Sequence, residues 1–563
     1  MNKLTSKLVL GLALSMASHT MAQDHSGHSM PAPVPSAPAD PHAGHSAPNP
    51  ATPNSNEASD LFSVSTEGLA EVVPTTEQRL PDGASFKMVA GPAKQKIGNQ
   101  WIRRLAYNGS VPGPVIRVTQ GSSINLTLVN QTDVATTLHP HGLRVNSKDD
   151  GVPGIGQDPI AVGQSYKYDL KFPDAGIYWY HPHVREDYSQ EAGLYGVFIV
   201  EPKDRSAYNP VHREIPLVLD DVLVDPKQAF AKDKVTHTLM GRFGNVNLVN
   251  GLVNPSLAVT QGETIRFYVL NTSNTRVFAF AIPNTKLKVV GGDNGLYEKE
   301  FWSEKVILGP GERAIVEAQF SQVGNIAIRN NKPKKPVTIA QLVVKSGAVK
   351  PLSANFNTLK TNATAIANLA SVRSQLSKAV EKNISLTVEM DHEQLPMNMG
   401  GMDHSTMNMG GMDMPGMNHS GMTMGQPSPD DGIEWDDEMP EMNEASNTNN
   451  VTWKMVDTLT NKANMDIDWS FSQGDLVKIR IFNDPNSMHP MQHPIHFHGQ
   501  RFVVSATNGI SSKNLVWKDT TLVPAGSTVD IILEASNPGR WMSHCHISEH
   551  LEASMMFEFN VAN

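Results

Sequence analysis

The sequence predicts an all-β chain of three β-sandwich domains, the third interrupted by an insertion. Three observations predict it. One motif recurs three times: Gln-Gly, an alternating apolar stretch, then Asn nine residues after the Gly. The copies run from Gln120-Gly121 to Asn130, Gln261-Gly262 to Asn271 and Gln473-Gly474 to Asn483. Each stretch alternates like a half-buried strand, as Ile265, Phe267 and Val269 do. A second block follows each copy and ends on Gly176, Gly324 and Gly539. Repeats of this length are whole domains rather than solenoid units. Many short strands with Gly and Pro turns argue for sandwiches.

The 563 residues suffice for several domains of about 150 residues each. A content of 39% hydrophobic and 18% charged residues is that of a globular chain. The net charge of -10 does not favour a nucleic-acid binder, which usually shows a basic face. No apolar run reaches the roughly 18 residues of a membrane span.

In chain order, Lys3 and Lys7 precede the apolar stretch Leu8 to Ala17, followed by Thr20-Met21-Ala22. Residues 1–22 read as a secretory signal peptide cleaved near Ala22. Residues 1–22 contain no Arg-Arg pair of the twin-arginine kind, so general secretion is expected and metal is expected to load outside the cytoplasm, in the periplasm. Residues 23–60 are rich in Pro, Ala, Ser and His and read as a flexible tail. His25, His28, Met30, His42 and His45 lie on it, either as part of a spacer or for weak metal capture. The first sandwich is expected over 61–205 and the second over 206–350. A partly helical linker covers 351–382. The third sandwich takes 383–563, with an insertion at about 395–449.

Four histidine clusters carry the chemistry: His139-Pro140-His141, His181-Pro182-His183, His493 with His496 and His498, and His544-Cys545-His546 with His550. On a strand, residues i and i+2 face the same side, so each His-x-His pair offers two imidazoles to one metal face. Imidazole suits Cu, Zn, Fe and Ni. A single such pair is commonly a solvated surface feature; four at matched places are not. His181 and His183 follow Gly176 at the offsets at which His544 and His546 follow Gly539. The middle repeat has Arg329 and Asn331 there. A pseudo-symmetric metal site between the first and third domains follows, with the middle domain as a spacer.

Cys545 is the only Cys in the chain, so no internal disulfide forms. Lying between His544 and His546, it faces the opposite side of the strand and serves a different metal. His493 is out of step with His496 and His498 and faces that second metal too. His550 and Met555 follow Cys545 at intervals of five. A loop and a helical turn bring them back. Two His, one thiolate and a weak axial Met make a blue-copper electron-transfer site.

His-x-His-Gly, Trp-Tyr-His-x-His, His-x-x-His-x-His-Gly and His-Cys-His-Ile-x-Glu-His-x-x-x-x-Met occur here in that order. Together they resemble the four signatures of the multicopper oxidases, over nearly the whole chain outside the tail and insertion. The resemblance implies three cupredoxin-like Greek-key sandwiches and four copper ions. A type 1 copper would sit on His493, Cys545, His550 and Met555. A type 2 copper would take His139 and His496. A type 3 pair would take His141, His181, His183, His498, His544 and His546. It implies one-electron oxidation of a donor at the type 1 site, passage through Cys545, His544 and His546, and reduction of O2 to water. Asp150 matches a family acid near the type 2 copper; an Asp forming a turn before Gly151 fits equally. A family proton-relay Glu directly after the last type 1 His is Leu551 here, with Glu549 and Glu552 nearby. Pro140, where many relatives have Trp, is expected to leave the chemistry unchanged.

The insertion bears on the electron donor. Met397, Met399, Met402, Met407, Met409, Met412, Met414, Met417, Met422 and Met424 crowd one segment with His404 and His419. Their spacing fits neither strand nor helix, which argues against core packing. Thioether sulfur selects Cu(I). An acidic run from Asp430 to Glu444 follows and reads as a solvated face. The tract resembles the Met-rich insertions of bacterial copper-tolerance oxidases, so a cuprous oxidase converting Cu(I) to Cu(II) is expected. A laccase-like oxidase of phenols, amines, Fe(II) or Mn(II) is the alternative; a non-catalytic copper scavenger is a third reading. Expected partners are O2, Cu(I) or another small reductant, and a copper chaperone or exporter. A monomer without nucleic acid is expected.

Overall fold

The computed structural model describes residues 60–225, 229–391 and 431–563. The signal segment, the His-bearing tail and the ten-Met tract lie outside the described residues. Among the described residues no helix is long and apolar enough to cross a membrane.

Each repeat builds a two-sheet sandwich. The first pairs a sheet of Gln100–Tyr107, Ala84–Ile97, Ser123–Asn130 and Ser165–Lys171 with one of Glu77–Arg79, Val115–Thr119, Gly196–Glu201 and Gly176–Tyr180. The second domain stacks six strands on five, and the third seven on five. Each sandwich has its own apolar core, centred on residues such as Leu126 and Phe198, Phe267 and Phe280, and Ile479 and Phe557.

The recurring motif has a physical cause. Gly121, Gly262 and Gly474 all take positive φ, which the turn into the next strand requires. That strand pairs in parallel with the first long strand of its own domain: Ala84–Ala90 on Ile124–Asn130, Arg213–Leu219 on Ile265–Asn271, Lys382–Leu386 on Ile479–Asn483. The closing Asn is buried, and its amide donates to two backbone carbonyls in every copy. The acceptors are Val134 and Ile160, Arg276 and Leu308, and Met491 and Val523. Each Asn ties loops that no strand ladder satisfies; removing one strands buried acceptors at about 1–3 kcal/mol each.

The linker contains two helices, Ser353–Phe356 and Ala363–Arg373, the second capped by Asn362 Oδ1 accepting from the Ala365 N–H. Leu369 and Val372 pack on Val503, Trp517 and Ile532 of the third domain. Arg373 pairs with Glu298 of the second. The linker is therefore a wedge gripped by two domains.

The insertion leaves after the strand Lys382–Met390 and returns at Val451–Asp457, with Met390 opposite Val451. Its returning end corrects one expectation. The acidic run is a solvated face only in part: Asp436, Glu438, Glu441 and Glu444 are exposed, whereas Glu434 is buried. Trp435 and Ile433 pack on Val277 and Ala279 of the middle domain. Asp436 meets Arg276 (3.0 Å) and Lys332. Asn443 accepts from the Met240 N–H and donates to the Gly241 carbonyl. The positive partners of this run sit in another domain, out of sight of any local charge pattern.

Candidate metal centres

The strands His493–Phe497 and Gly539–Cys545 are antiparallel neighbours, with Ile495 opposite Cys545 and His496 opposite His544. Opposed residues share a face. One face of this strand pair therefore carries Cys545 and His493; the other carries His496 and His544. The short helix Ser548–Glu552 folds His550 back over Cys545.

On the first face Cys545 Sγ lies 3.5 Å from His493 Nδ1 and 3.7 Å from His550 Nδ1, and the two nitrogens are 3.3 Å apart. One ion with bonds of roughly 2.0–2.3 Å to N and S spans such a set. Met555 is buried in the same core, and its carbonyl accepts the Cys545 N–H at 3.0 Å. Trp453 closes the site, stacked on His550 (4.3 Å between ring centres) and edge-on to His493 (4.7 Å). Burial pushes the thiol up and the imidazoles down, His493 to about 3. The metal-free site is thus a neutral thiol among neutral imidazoles.

On the other face eight imidazoles meet, four from each of the first and third domains. His139 and His181 are joined by two backbone bonds of 2.7 and 3.2 Å. Ligand nitrogens converge in three sets, His183 with His498 and His544, His139 with His496 and His498, and His139 with His141 and His181; the His546 ring lies 4.9 Å from His141 and 5.1 Å from His181. Most rings turn Nδ1 to an oxygen: His139 to the Asp150 carbonyl (2.6 Å), His181 to Pro182 (2.9 Å), His496 to Asp519 (2.8 Å) and His544 to Cys545 (2.8 Å). Nε2 of His139, His181, His183, His496 and His546 then has no partner although buried. His498 and His544 go further: their Nε2 atoms face each other at 3.0 Å. With both Nδ1 atoms turned to oxygen acceptors, the two Nε2 lone pairs converge on a point a cation can fill. Soft-to-borderline N and S donors, buried and unpartnered, fit copper ions at both places.

Carboxylates surround the cluster. Asp150 Oδ2 accepts from His498 Nδ1 at 2.8 Å, and Oδ1 lies 3.4 Å from His139 Nδ1. Asp150 thus touches rings of two sets while also preceding the positive-φ Gly151, so both sequence readings of it meet at one residue. Asp150→Asn is expected to slow reoxidation by O2 about 10–100-fold and leave the blue colour, as for other outer partners of metal-bound imidazole. Stopped-flow reoxidation checks this; unchanged kinetics would discard the role.

Three groups beside the cluster escaped sequence reasoning. Glu186, fully buried, faces His183 Nδ1 at 3.2 Å and His181 Nδ1 at 3.8 Å. Asp519 lies against His141, with Arg313 behind it. The one available signal for Glu186 was its place three residues after His183. Glu549 is buried and Glu552 half-buried, both close to Glu186. Glu549 accepts from Asn274 at 3.1 Å, and Glu552 accepts the Glu186 N–H at 3.2 Å. Burial raises both carboxyls to about 7.

Three cupredoxin-like sandwiches carry two buried metal-binding constellations, a thiol with two imidazoles and a cluster of eight imidazoles, which is the layout of a metal-dependent oxidoreductase. Family patterns for multicopper oxidases match residues 94–205, 199–348 and 434–563. A multicopper oxidase of Staphylococcus epidermidis is 24% identical over 512 residues, covering 89% of this chain and 94% of its own. A copper resistance protein A homologue of Pseudomonas syringae pv. tomato is 24% identical over 574 residues, covering 85% and 93%. The solved structure of a multicopper oxidase from Campylobacter jejuni shares the fold with a TM-score of 0.63, at 21% identity over 89% of this chain and 99% of that one. The chain belongs to the multicopper oxidases.

Proposed function

We propose that this multicopper oxidase is an exported, periplasmic cuprous oxidase that converts Cu(I) to Cu(II) at the expense of O2. The observation that carries the reading is where the Met-rich insertion joins the fold. It departs at the Met390–Val451 rung, two residues from Trp453 on the thiolate site. Its returning end is fastened to the ligand strand, where the Glu434 N–H donates to Gln492 Oε1 at 2.7 Å, beside His493. Met439 and Met442 pack against the core that holds Cys545. Glu434 Oε1 faces His489 Nε2 at 3.7 Å, and Glu434 Oε2 and His489 Nε2 have no hydrogen-bond partner. Soft sulfur and this buried pair offer a Cu(I) ion a route to the thiolate site.

Bound copper supplies one-electron acceptance at the thiolate site and O2 reduction at the cluster. The four ions would be one held by His493, Cys545, His550 and Met555, and three by the eight cluster imidazoles. The chain's residues do the rest. Trp453 and the core exclude water from the Cys545 sulfur. Backbone carbonyls and Asp150 hold the Nδ1 protons, so that Nε2 points inward on most cluster rings. Glu549 and Glu552, raised to about 7 by burial, can both hold and release a proton beside the cluster near neutral pH.

The test is oxygen uptake by the copper-loaded enzyme with a buffered Cu(I) complex against a simple phenol, with and without added Cu(II). Uptake with Cu(I) alone supports the proposal. Phenol turnover without added Cu(II) and no response to Cu(I) makes the enzyme a laccase. Binding of Cu(I) with no oxygen uptake makes it a scavenger. Deleting Met397 to Met424 is expected to raise the apparent KM for Cu(I) about tenfold, ~1.4 kcal/mol, with the blue absorption intact. Glu434→Gln is expected to raise it similarly. Burial and the neighbouring Glu438 and Asp437 lift the Glu434 carboxyl to about 8, so the free pair holds a proton that Cu(I) must displace. The KM for Cu(I) should therefore fall as pH rises towards 8 in the wild type, and this slope should flatten in the Gln variant. Equal Cu(I) kinetics in both variants removes the insertion from the mechanism.

A further inference from the structure

The middle domain carries none of the candidate ligands, yet one of its loops lies on the cluster. Gly309 to Arg313 runs into the strand Arg313–Gln319. A Cβ on Gly311 would stand 3.0 Å from the His546 ring. Arg313 is fully buried, and all five of its N–H donors are used. Nη1 and Nη2 grip Asp519 of the third domain, at 2.6 Å to each carboxylate oxygen. Nε donates to the Ile177 carbonyl of the first domain (2.9 Å). The remaining two N–H groups go to the Gly311 carbonyl (3.0 Å) and Asn294 Oδ1 (3.1 Å) in its own domain. One guanidinium therefore fixes three domains at the edge of the cluster.

Asp519 passes that order on. Its Oδ1 accepts from His141 Nε2 at 3.0 Å and from Thr520 Oγ1 at 2.8 Å, and its backbone carbonyl accepts from His496 Nδ1. Asp519 sits close enough to His141 and His496 to be a ligand itself. However, both its oxygens are filled by Arg313, in the bidentate geometry that only arginine offers. His141 is thereby the exception among the rings: Nε2 is held by Asp519, and the buried, unpartnered nitrogen is Nδ1. The Gly of the His-x-His-Gly signature makes room for this pair. A Cβ at Gly142 would stand 2.3 Å from Asp519 Oδ2 and 2.8 Å from Arg313 Nη2.

We propose that Arg313 is a positioning residue of the oxygen-reducing cluster. Through Asp519 it sets the tautomer and tilt of His141, so that Nδ1 faces the metal, and it fixes the strand carbonyl that orients His496. The middle domain is then part of the cluster's wall and more than a spacer. The role does not depend on which reductant the enzyme uses. Asp293, Glu312 and Lys518 surround the pair, with Lys518 Nζ 3.1 Å from Asp293 and 3.2 Å from Glu312. Asp293 also accepts the Arg313 backbone N–H (2.9 Å) and lies 3.8 Å from Nη1, so the direct bidentate grip on Asp519 is the shorter contact.

The test uses the full-length copper-loaded enzyme carrying Arg313→Lys or Asp519→Asn. It reads copper per chain, blue absorption, the EPR spectrum of the cluster, Tm, and kcat and KM at saturating donor. Both variants are expected to keep the blue absorption and the donor KM, to alter the cluster's EPR spectrum and to lose about 10–100-fold in kcat, the usual cost of an outer partner of a metal-bound imidazole. Should Arg313→Lys fail to fold, Asp519→Asn decides alone. A lowered Tm with unchanged EPR spectrum and kcat would overturn the proposal and reduce Arg313 to a staple between domains.

Discussion

Cys545→Ser is expected to abolish the blue absorption and lower oxygen uptake with any donor by at least about a thousandfold, ~4 kcal/mol of barrier. Cys545 provides the only thiolate the chain has, and it lies fully buried between His493 and His550 at 3.5 and 3.7 Å. Serine keeps the volume, so the fold should survive; an unpartnered hydroxyl in this core costs about 1–3 kcal/mol. The neighbours His544 and His546 stay in place on the other face of the strand, so the cluster should still load. The readouts are copper per chain, expected to fall by one, visible absorption and oxygen uptake. A colourless variant that still consumes O2 with Cu(I) would place the entry of electrons elsewhere.

His498→Gln is expected to separate the two halves of the reaction. His498 serves two imidazole sets, faces His544 Nε2 at 3.0 Å and is held by Asp150. The thiolate site takes no ligand from it. The variant should be blue, should bleach on mixing with donor, and should not regain colour in air. Steady-state turnover should fall about a thousandfold or more, since residues acting as a unit fail together. Stopped-flow bleaching followed by an oxygen pulse measures both halves in one experiment. Normal recovery of colour would mean that His498 is dispensable and that the three imidazole sets are wrongly drawn.

The two-faced placement of these ligands is legible in the sequence because strand alternation is a local rule. From the triplet His544-Cys545-His546 alone, the sulfur has to leave the imidazoles, and the register Ile495 to Cys545 and His496 to His544 carries it out. The threefold Gln-Gly to Asn motif locates the domains for a similar reason: turn, strand and bridging amide all lie within one short segment. What stays hidden is non-local. Arg313 and Asp519 are 206 positions apart, and His141 and Asp519 are 378 apart. No periodicity links such pairs. The run from Asp431 to Glu444 is read rightly where Glu438, Glu441 and Glu444 face water, but its charge hides the buried Glu434 and the pairing of Asp436 with Arg276 and Lys332 of the middle domain. Glu186 escapes notice because a charged residue after a ligand pair is common on surfaces; only the packing of its helix against the last one buries it.

The division of ligands between domains sets an order of assembly. The thiolate-site candidates His493, Cys545, His550 and Met555 all lie in the third domain, in a core completed by Leu239, Met240 and Phe243 of the second. The imidazole cluster takes four rings from each end of the chain and exists only after the first and third domains have docked. Colour then reports the third domain seated on the second, and oxygen consumption reports a finished molecule. A chain arrested between those two stages would accept electrons and have nowhere to send them.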